Sequence, residues 1–286
     1  MNEEINSLII IGAPRSGTNI LRDALTNLSG FSTWPCDEIN FIWRYGNLDY
    51  PYDDLKVSDA NSDSREYIRK QFKKISSRLN CSYVVEKTCS NSLRLSYVDA
   101  VMPNSKYILI LRDGCDAVAS AVQRWEQPSS SLTYLLKKSR FIAPKDLPRV
   151  LLKFIANRLS GSLRTWGPLT EELEEMVHSK KPITEICTKQ WEQCVTASVN
   201  DLISIDPSRW IVVRYENFVI NPQKEIIRIL NMMSVNESLD SIDRACKGVH
   251  SNSVGKSKTI LDINQYQAIR NLTDKVLNQL DNKLKN

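Results

Sequence analysis

The amino-acid sequence predicts an α/β fold in which a parallel sheet is flanked by helices within a single domain, residues 1–286. Three apolar runs are typical of buried strands: residues 8–11, 106–111 and 209–214. Each run is followed by a segment with helical periodicity, and this alternation is the pattern of parallel sheets with helical crossovers. With 42% apolar residues and 25% charged residues, the chain can bury a sizeable core.

The first strand leads into a loop with the spacing of a phosphate-binding loop. Gly12 ends the strand and Gly17 precedes an apolar-periodic helix, so backbone N–H groups and the positive helix end converge on one point. The predicted sheet is therefore P-loop-like. Thr18 and Asn19 stand where such loops carry Lys-Ser/Thr, and the cation is Arg15 instead, which argues against triphosphate hydrolysis. The alternative is an ordinary strand–turn–helix corner.

Cationic side chains stand at the ends of three predicted strands. Arg15 follows the first, Lys87 ends a short strand at 82–87, and Arg112 follows the run at 106–111. Carboxyl ends of parallel strands share one edge of a sheet, so these cations are predicted to line one crevice. The segment after the first helix can return to that edge and bring Asp37 and Glu38 close to the loop. For Lys87, a surface pair with its neighbouring glutamate is the alternative.

A second anion site is predicted beside the first. Ser120 and Arg124 are four residues apart on a helix and share a face, and Arg112 precedes that helix. Two guanidinium groups and a hydroxyl can surround a phosphate dianion. The alternative is that Arg112 pairs with Asp113 or Asp116 while Arg124 faces solvent.

The remaining elements follow in order along the chain. Residues 126–148 are predicted to be a mobile excursion and a possible substrate-side lid, and residues 250–258 form a polar loop. The predicted helices are 64–79 with Ser64 as N-cap, 92–102, 147–177 with a break at 167–168, 183–203, one starting at 221–222, and a C-terminal helix at about 261–283.

Four motifs in this order resemble the sulfotransferases that use 3′-phosphoadenosine 5′-phosphosulfate (PAPS). They are the loop Gly12-Ala-Pro-Arg15-Ser16-Gly17-Thr18, the strand end with Lys87, the segment from Tyr107 through Arg112 to Ser120, and Val213-Arg214-Tyr215-Glu216 with the helix after it. The segment 103–124 is most similar to the tyrosylprotein or Golgi-type branch.

The resemblance implies in-line transfer of a sulfuryl group to an acceptor, with adenosine 3′,5′-bisphosphate (PAP) as the leaving product and no metal. It also implies the site residues. Lys87 stands at the bridging oxygen and Arg15 supports catalysis. The implied donor-binding residues are Arg15, Ser16, Gly17, Thr18, Asn19, Arg112, Ser120, Arg124, Tyr215 and Lys256.

The histidine that serves as catalytic base in one branch of the family has no counterpart at the matching position of this chain. The cytosolic branch carries Lys-Thr-His, whereas this chain has Lys87-Thr88-Cys89. In the tyrosylprotein-like branch a glutamate after the first helix serves as base, and Glu38 is similar in position. Asp37 is the near alternative, and for both carboxyl groups capping of the next helix is a further possibility.

Composition restricts partners and location. A net charge of +5 suits an anionic ligand, and no sustained basic and aromatic surface indicates nucleic acid. Seven cysteines without a C-x-x-C pair argue against a disulfide framework or a zinc site, and no signal peptide or transmembrane segment is predicted, so we expect a cytoplasmic protein.

The expected acceptor is a hydroxyl of a glycan, a lipid-linked saccharide or a small natural product. Trp34, Trp43 and the loop 45–52 are candidates for lining its pocket, and packing in the core is the alternative for these aromatic residues. Two other functions stay open: a P-loop-type small-molecule kinase, and a catalytically inactive nucleotide-binding module. The oligomeric state is not indicated.

Overall fold

The computed structural model describes residues 6–126, 140–152 and 165–285. Within them, five parallel strands form one sheet in the order β2-β3-β1-β4-β5, which confirms the predicted α/β class with a P-loop-like parallel sheet flanked by helices. The strands are β1 Ser7–Ile11, β2 Phe31–Ser32, β3 Tyr83–Lys87, β4 Lys106–Leu111 and β5 Trp210–Arg214. The short edge strand β2 was not predicted.

The helices cover both faces of this sheet. They are α1 Thr18–Thr26, α2 Asn40–Trp43, α3 Ser62–Leu79, α4 Leu95–Val101, α5 Gly114–Glu126, α6 Glu171–His178, α7 Ile183–Leu202, α8 Tyr215–Ile220, α9 Pro222–Met233, α10 Leu239–Cys246, α11 Ser257–Ile260 and α12 Ile263–Lys285. Short 3-10 turns are formed by Val57–Asp59, Cys89–Leu93 and Pro207–Arg209.

The central strand β1 is apolar throughout because both of its faces are covered. Ile9 and Ile11 point into one core with α3, α4, α5, α7 and α12, whereas Leu8 and Ile10 point into the other with α1, α8, α9 and α10. This two-residue alternation is the strand period, and a fully covered parallel strand has no polar face. Burying each such side chain contributes roughly 2 kcal/mol of transfer free energy.

The strand register brings the charged strand ends together. Ile10 of β1 pairs with Lys87 of β3, and Ile11 pairs with Leu109 of β4. The loop after β1, the end of β3 and the residue after β4 therefore lie at one edge of the sheet, as predicted.

Some element boundaries differ from the sequence-based prediction. Helix α3 begins at Ser62, and Asn61 is its N-cap, because the Asn61 side chain accepts the Ser64 N–H at 2.9 Å; Ser64 as N-cap was wrong. The predicted helix 92–102 is a 3-10 turn followed by α4.

The predicted excursion at 126–148 lies partly outside the described residues. Residues 140–146 form turns, and residues 147–152 are helical. Its role as a lid stays a prediction. No helix among the described residues is long and apolar enough to cross a bilayer.

Helices α5 and α12 pack in close contact at Gly114. A Cβ built on Gly114 would lie 2.4 Å from the Cβ and Cγ2 atoms of Thr273, which is fully buried on α12. Glycine is thus required here by the closeness of two helices.

We predict that Gly114→Ala lowers the free energy of unfolding by about 1–3 kcal/mol, because the added methyl group overpacks a filled interface. Chemical denaturation measures the change. Gly248→Ala is the matched control, since no atom lies within 4 Å of its built Cβ. Equal stability of the two variants would contradict the packing argument.

Candidate functional site

A cleft of about 510 Å³ lies at the carboxyl edge of the sheet. The three strand-end cations, Arg15, Lys87 and Arg112, all line it, so the predicted convergence is confirmed as geometry. Other lining residues come from the loop and α1, the segment after β2, the turn after β3, α5, the segment before α6, the start of α8 and the late polar loop: Gly17, Thr18, Asn19, Asp37, Glu38, Cys89, Ser120, Trp166, Tyr215, His250 and Ser253.

The loop after β1 has the backbone of an anion cradle. Arg15 and Gly17 have positive φ angles of 68° and 91°, and Gly17 precedes the first turn of α1. The N–H groups of that first turn lack intrahelical acceptors and are available to an anion. Gly17 also allows a close approach, because a Cβ there would lie 2.3 Å from the ring of Tyr215.

Ser16 is placed below the cleft surface and does not line it. Its N–H donates to the carbonyl of Ala13 at 3.1 Å, and its Oγ is buried without a hydrogen-bond partner among the described residues. A buried hydroxyl without a partner is costly, so it indicates a polar ligand at the base of this loop.

Arg112 connects the loop with the opposite wall of the cleft. Its side chain is 6% exposed and donates from Nη1 to the carbonyl of Arg15 at 2.8 Å and from Nη2 to the carbonyl of Ser253 at 2.5 Å. Its guanidinium carbon lies 4.6 Å from the ring centroid of Tyr215, and its Nε has no partner among the described residues. The predicted alternative of pairing with Asp116 is weak, since the closest charged atoms are 4.0 Å apart.

Arg15 and Ser120 form a direct pair, in which Arg15 Nε donates to Ser120 Oγ at 2.9 Å. Desolvation in the cleft, and then the nearby charge of Arg112, lower the pKa of Arg15 from its ordinary value. Because the positive charges of Arg15 and Arg112 repel each other, an anion bound between them would stabilise both.

Lys87 lies at the other side of the cleft between two carboxyl groups. Its Nζ is 3.0 Å from Asp37 Oδ1 and 3.2 Å from Glu38 Oε1, and its side chain is 2% exposed. Burial by itself lowers the pKa of Lys87, but the neighbouring acidic groups, Cys89, Glu38 and Asp37, outweigh it and raise the pKa.

Asp37 is bound by two cations. Besides Lys87, Arg22 Nη1 lies 3.2 Å from Asp37 Oδ1. Burial raises the pKa of Asp37, but Lys87 and Arg22 together lower it below its ordinary value. Because its pKa is lowered, Asp37 is a poorer proton acceptor than an ordinary aspartate.

The end of β3 positions Glu38. Its Oε1 accepts the N–H of Cys89 at 3.2 Å, and the N–H of the following residue, Ile39, donates to Thr88 Oγ1 at 3.2 Å. Burial, and then the charge of Glu38, raise the pKa of the Cys89 thiol well above its ordinary value, so Cys89 is not a thiolate nucleophile.

Besides Ser16, two further predicted donor-binding residues, Arg124 and Lys256, do not line the cleft. The Arg124 guanidinium lies over the ring of Trp166, 5.9 Å from its centroid, and Lys256 is exposed at the start of α11. Of the two alternatives for Trp34 and Trp43, the structure supports core packing: both are buried, and their ring centroids lie 4.6 and 5.5 Å from that of Phe72.

Trp166 is a lining residue that the sequence analysis missed. Gln190 Nε2 donates to the carbonyls of Trp166 at 2.8 Å and Pro168 at 2.9 Å, and Gly167 between them has a φ of 82°. This turn presents Trp166 at the cleft. Only the Gly-Pro break was visible in the sequence.

The comparisons with known proteins agree with this arrangement. The model of the sulfotransferase family matches residues 7–140. Over nearly the whole chain, solved structures share the architecture. The fold is that of sulfotransferases.

The similar structures are distant in sequence. A sulfotransferase domain from the curacin biosynthetic pathway has 16% identity and a TM-score of 0.55, covering 97% of this chain and 98% of that chain. A sulfotransferase from Alicyclobacillus acidocaldarius has 14% identity and a TM-score of 0.53, covering 96% and 93%. A mouse sulfotransferase complexed with PAP has 10% identity and a TM-score of 0.50, covering 97% and 84%. No curated protein sequence matches the chain.

The segment that the family model matches contains the charged side chains at the centre of the cleft. The loop after β1, Glu38, Lys87, Arg112 and Ser120 all fall within residues 7–140. Family match and fold support sulfuryl transfer in general. Among residues 6–126, 140–152 and 165–285, no group of His, Cys, Asp and Glu side chains could hold a metal ion.

Glu86 precedes Lys87 in β3 and is a buried carboxyl group. It is completely buried, with Thr88 Oγ1 at 2.5 Å and Asn91 Nδ2 at 3.0 Å. Burial raises its pKa from 4.5 to about 7. Because the folded-state pKa is raised, the stabilisation from the protonated form is fully present below pH 4.5 and is lost as pH rises through about 7.

We predict that the unfolding free energy of the wild type falls relative to that of Glu86→Gln between pH 4.5 and about 7, by on the order of 3 kcal/mol. Urea denaturation across this range measures it. Glu66→Gln, on the exposed face of α3, is the control. A constant difference between Glu86→Gln and the wild type across this range would show that Glu86 does not titrate as stated.

Proposed function

We propose that this protein is a sulfotransferase that moves a sulfuryl group from PAPS to a hydroxyl of an acceptor. The observation that carries the proposal is the meeting of Arg15, Arg112 and Lys87 in one cleft with Glu38 beside them. The match over residues 7–140 and the shared fold support it. The motif likeness to the tyrosylprotein or Golgi-type branch belongs to the same proposal.

The residues at the loop and α5 fit a doubly phosphorylated donor. In the proposal, the N–H groups of Gly17, Thr18 and Asn19 and the Arg15 side chain hold the 5′-phosphosulfate, while Arg112 and Ser120 hold the 3′-phosphate. The buried Ser16 Oγ and Arg112 Nε, both without partners among the described residues, are consistent with a polar ligand there. The positions of Arg124 and Lys256 support no donor contact.

When bound, PAPS supplies the sulfuryl group and a stable leaving group. The acceptor hydroxyl then needs a base, and we assign Glu38 this role because two cations lower the pKa of Asp37. The proton moves from the acceptor oxygen to a Glu38 carboxylate oxygen. Lys87 Nζ donates to the negative charge that develops at the bridging oxygen of the leaving group.

The acceptor and the location are proposals of the same kind. Trp166 offers a flat surface at the cleft for a glycan, a lipid-linked saccharide or a small natural product. All seven cysteines lie in the described ranges and form no disulfide. That supports a reducing compartment, and we propose the cytoplasm.

We predict that PAP raises the melting temperature of the wild type, whereas ATP with magnesium does not, because the loop lacks the lysine and the hydroxyl that bind a triphosphate with its metal. Arg15→Ala should weaken PAP binding by roughly 10- to 100-fold through loss of a charged hydrogen bond. Lys73→Ala on the exposed face of α3 is the matched control. Stabilisation by ATP with magnesium alone would instead favour a kinase.

We predict that Glu38→Gln lowers kcat by about 10²- to 10⁴-fold with PAP affinity retained, because the variant keeps the side-chain shape but not the base. Labelled PAPS with a panel of a phenol, a sugar and a sterol measures transfer. Asp37→Asn is the matched control and should lose less activity. Undiminished transfer by Glu38→Gln would remove Glu38 as base, and PAP binding without transfer by the wild type would favour the inactive module.

A further inference from the structure

One wall of the cleft is a loop between α10 and α11, here called the wall loop, residues 247–256. Its residues Gly248, Val249, His250 and Ser253 line the cleft opposite the phosphate-binding loop. Within the wall loop the Val254 N–H donates to the carbonyl of Ser251 at 3.0 Å, and the Val249 N–H donates to the carbonyl of Cys246 just before it at 2.9 Å; these short-range bonds do not join the loop to the rest of the cleft. What keeps this wall in place must therefore come from other elements.

The wall loop is held mainly by Asp116 on α5. Asp116 is 4% exposed, and its Oδ2 accepts the N–H of Gly255 at 2.6 Å while its Oδ1 accepts the N–H of Ser257 at 2.8 Å. Both oxygens are thus used by the chain just at the end of the wall loop. Hydrogen bonds to an ionised carboxylate in a buried place are among the strong ones.

Two further bonds join the same loop to the donor site. Ser253 accepts from Arg112 Nη2 through its carbonyl at 2.5 Å, and its Oγ lies 2.7 Å from the hydroxyl of Tyr215. The orientation of Arg112 in the cleft therefore depends on where Ser253 stands. The position of Ser253 depends in turn on the hydrogen bonds that the N–H groups of Gly255 and Ser257, two and four residues further along, donate to Asp116.

We propose that Asp116 is a positioning residue for the nucleotide: it fixes the wall loop and, through Ser253, aligns Arg112 for a phosphate. This inference rests on the proposed function. Without the Asp116 carboxylate, the wall loop opens more often and Arg112 loses a fixed acceptor. The bound nucleotide then dissociates faster, while the reacting groups at Lys87 and Glu38 stay in place.

The competing explanation is that Asp116 only stabilises the start of α5, where an acidic side chain complements the helix dipole. Glu216 separates the two explanations. Its Oε1 accepts the N–H of Asp113 at 2.9 Å, at the same helix end, and among the described residues its side chain shows no hydrogen bond or ion pair with the wall loop. Glu216→Gln thus changes the charge at the helix start and leaves the wall loop bonds intact.

The experiment compares Asp116→Asn with Glu216→Gln in the full chain. We expect Asp116→Asn to raise the Kd of PAP and the KM of PAPS by about tenfold or more, with kcat changed less than about threefold, whereas Glu216→Gln changes none of them. Amide hydrogen exchange should accelerate at Gly255 and Ser257 in Asp116→Asn alone. Wild-type PAP affinity in Asp116→Asn, or an equal loss in both variants, would overturn the inference.

The experiment also gives a result if Asp116→Asn does not fold or if the wild type does not bind PAP. If Asp116→Asn does not fold, Tyr215→Phe replaces it, because this variant removes only the tyrosine hydroxyl that bonds to Ser253 Oγ. It should raise the Kd of PAP a few-fold and accelerate amide exchange in the wall loop. Unchanged exchange in Tyr215→Phe would count against the inference. If the wild type itself does not bind PAP, the proposed function fails, and exchange at Gly255 and Ser257 alone decides whether Asp116 fixes the wall loop.

Discussion

The cleft depends on a buried guanidinium group whose hydrogen bonds go to backbone carbonyls and whose carboxylate neighbour, Asp116, is 4.0 Å away. Arg112 is nearly inaccessible, and its bonds go to two backbone carbonyls, with a tyrosine ring at 4.6 Å. The nearest carboxylate oxygen seen in the described part of the chain is 4.0 Å away, and that oxygen accepts a backbone N–H instead. The two carbonyl dipoles bind Nη1 and Nη2 but carry no net charge, and Nε has no partner among the described residues, so this group is suited to an anionic ligand.

The opposite side of the cleft has the reverse electrostatics. Lys87 is held between two carboxylates, so its charge is already compensated in the absence of ligand. A compensated group of this kind attracts little anion on its own, but it is fixed in place by its partners. The cleft thus combines a cationic part, to which we assign donor binding, with a charge-balanced part that contains the proposed base.

Local signals in the sequence predicted the parts of the site that strands and loops determine directly. Gly12, Gly17 and the charges at the ends of β3 and β4 are local, and the parallel register places them together. Contacts between distant residues were not predictable: Asp116 meets Gly255 across 139 positions, and Trp166 reaches the cleft through a turn held by Gln190. Nor does an aromatic residue in a sequence reveal which way it faces, so core packing and a pocket role for Trp34 and Trp43 could not be told apart before the structure.

The chain departs from the family motif at position 89, yet the residue there still helps to hold Glu38 in place. Its thiol is buried with a raised pKa and supplies no base. Its backbone N–H, however, donates to Glu38 Oε1, while Thr88 beside it accepts from the N–H of Ile39. The end of β3 therefore holds the proposed base from two sides through groups that any side chain at position 89 would leave available. In the proposed mechanism a cysteine can stand where a histidine is expected, because this segment contributes its backbone N–H and the proposed proton acceptor, Glu38, comes from the segment packed against it.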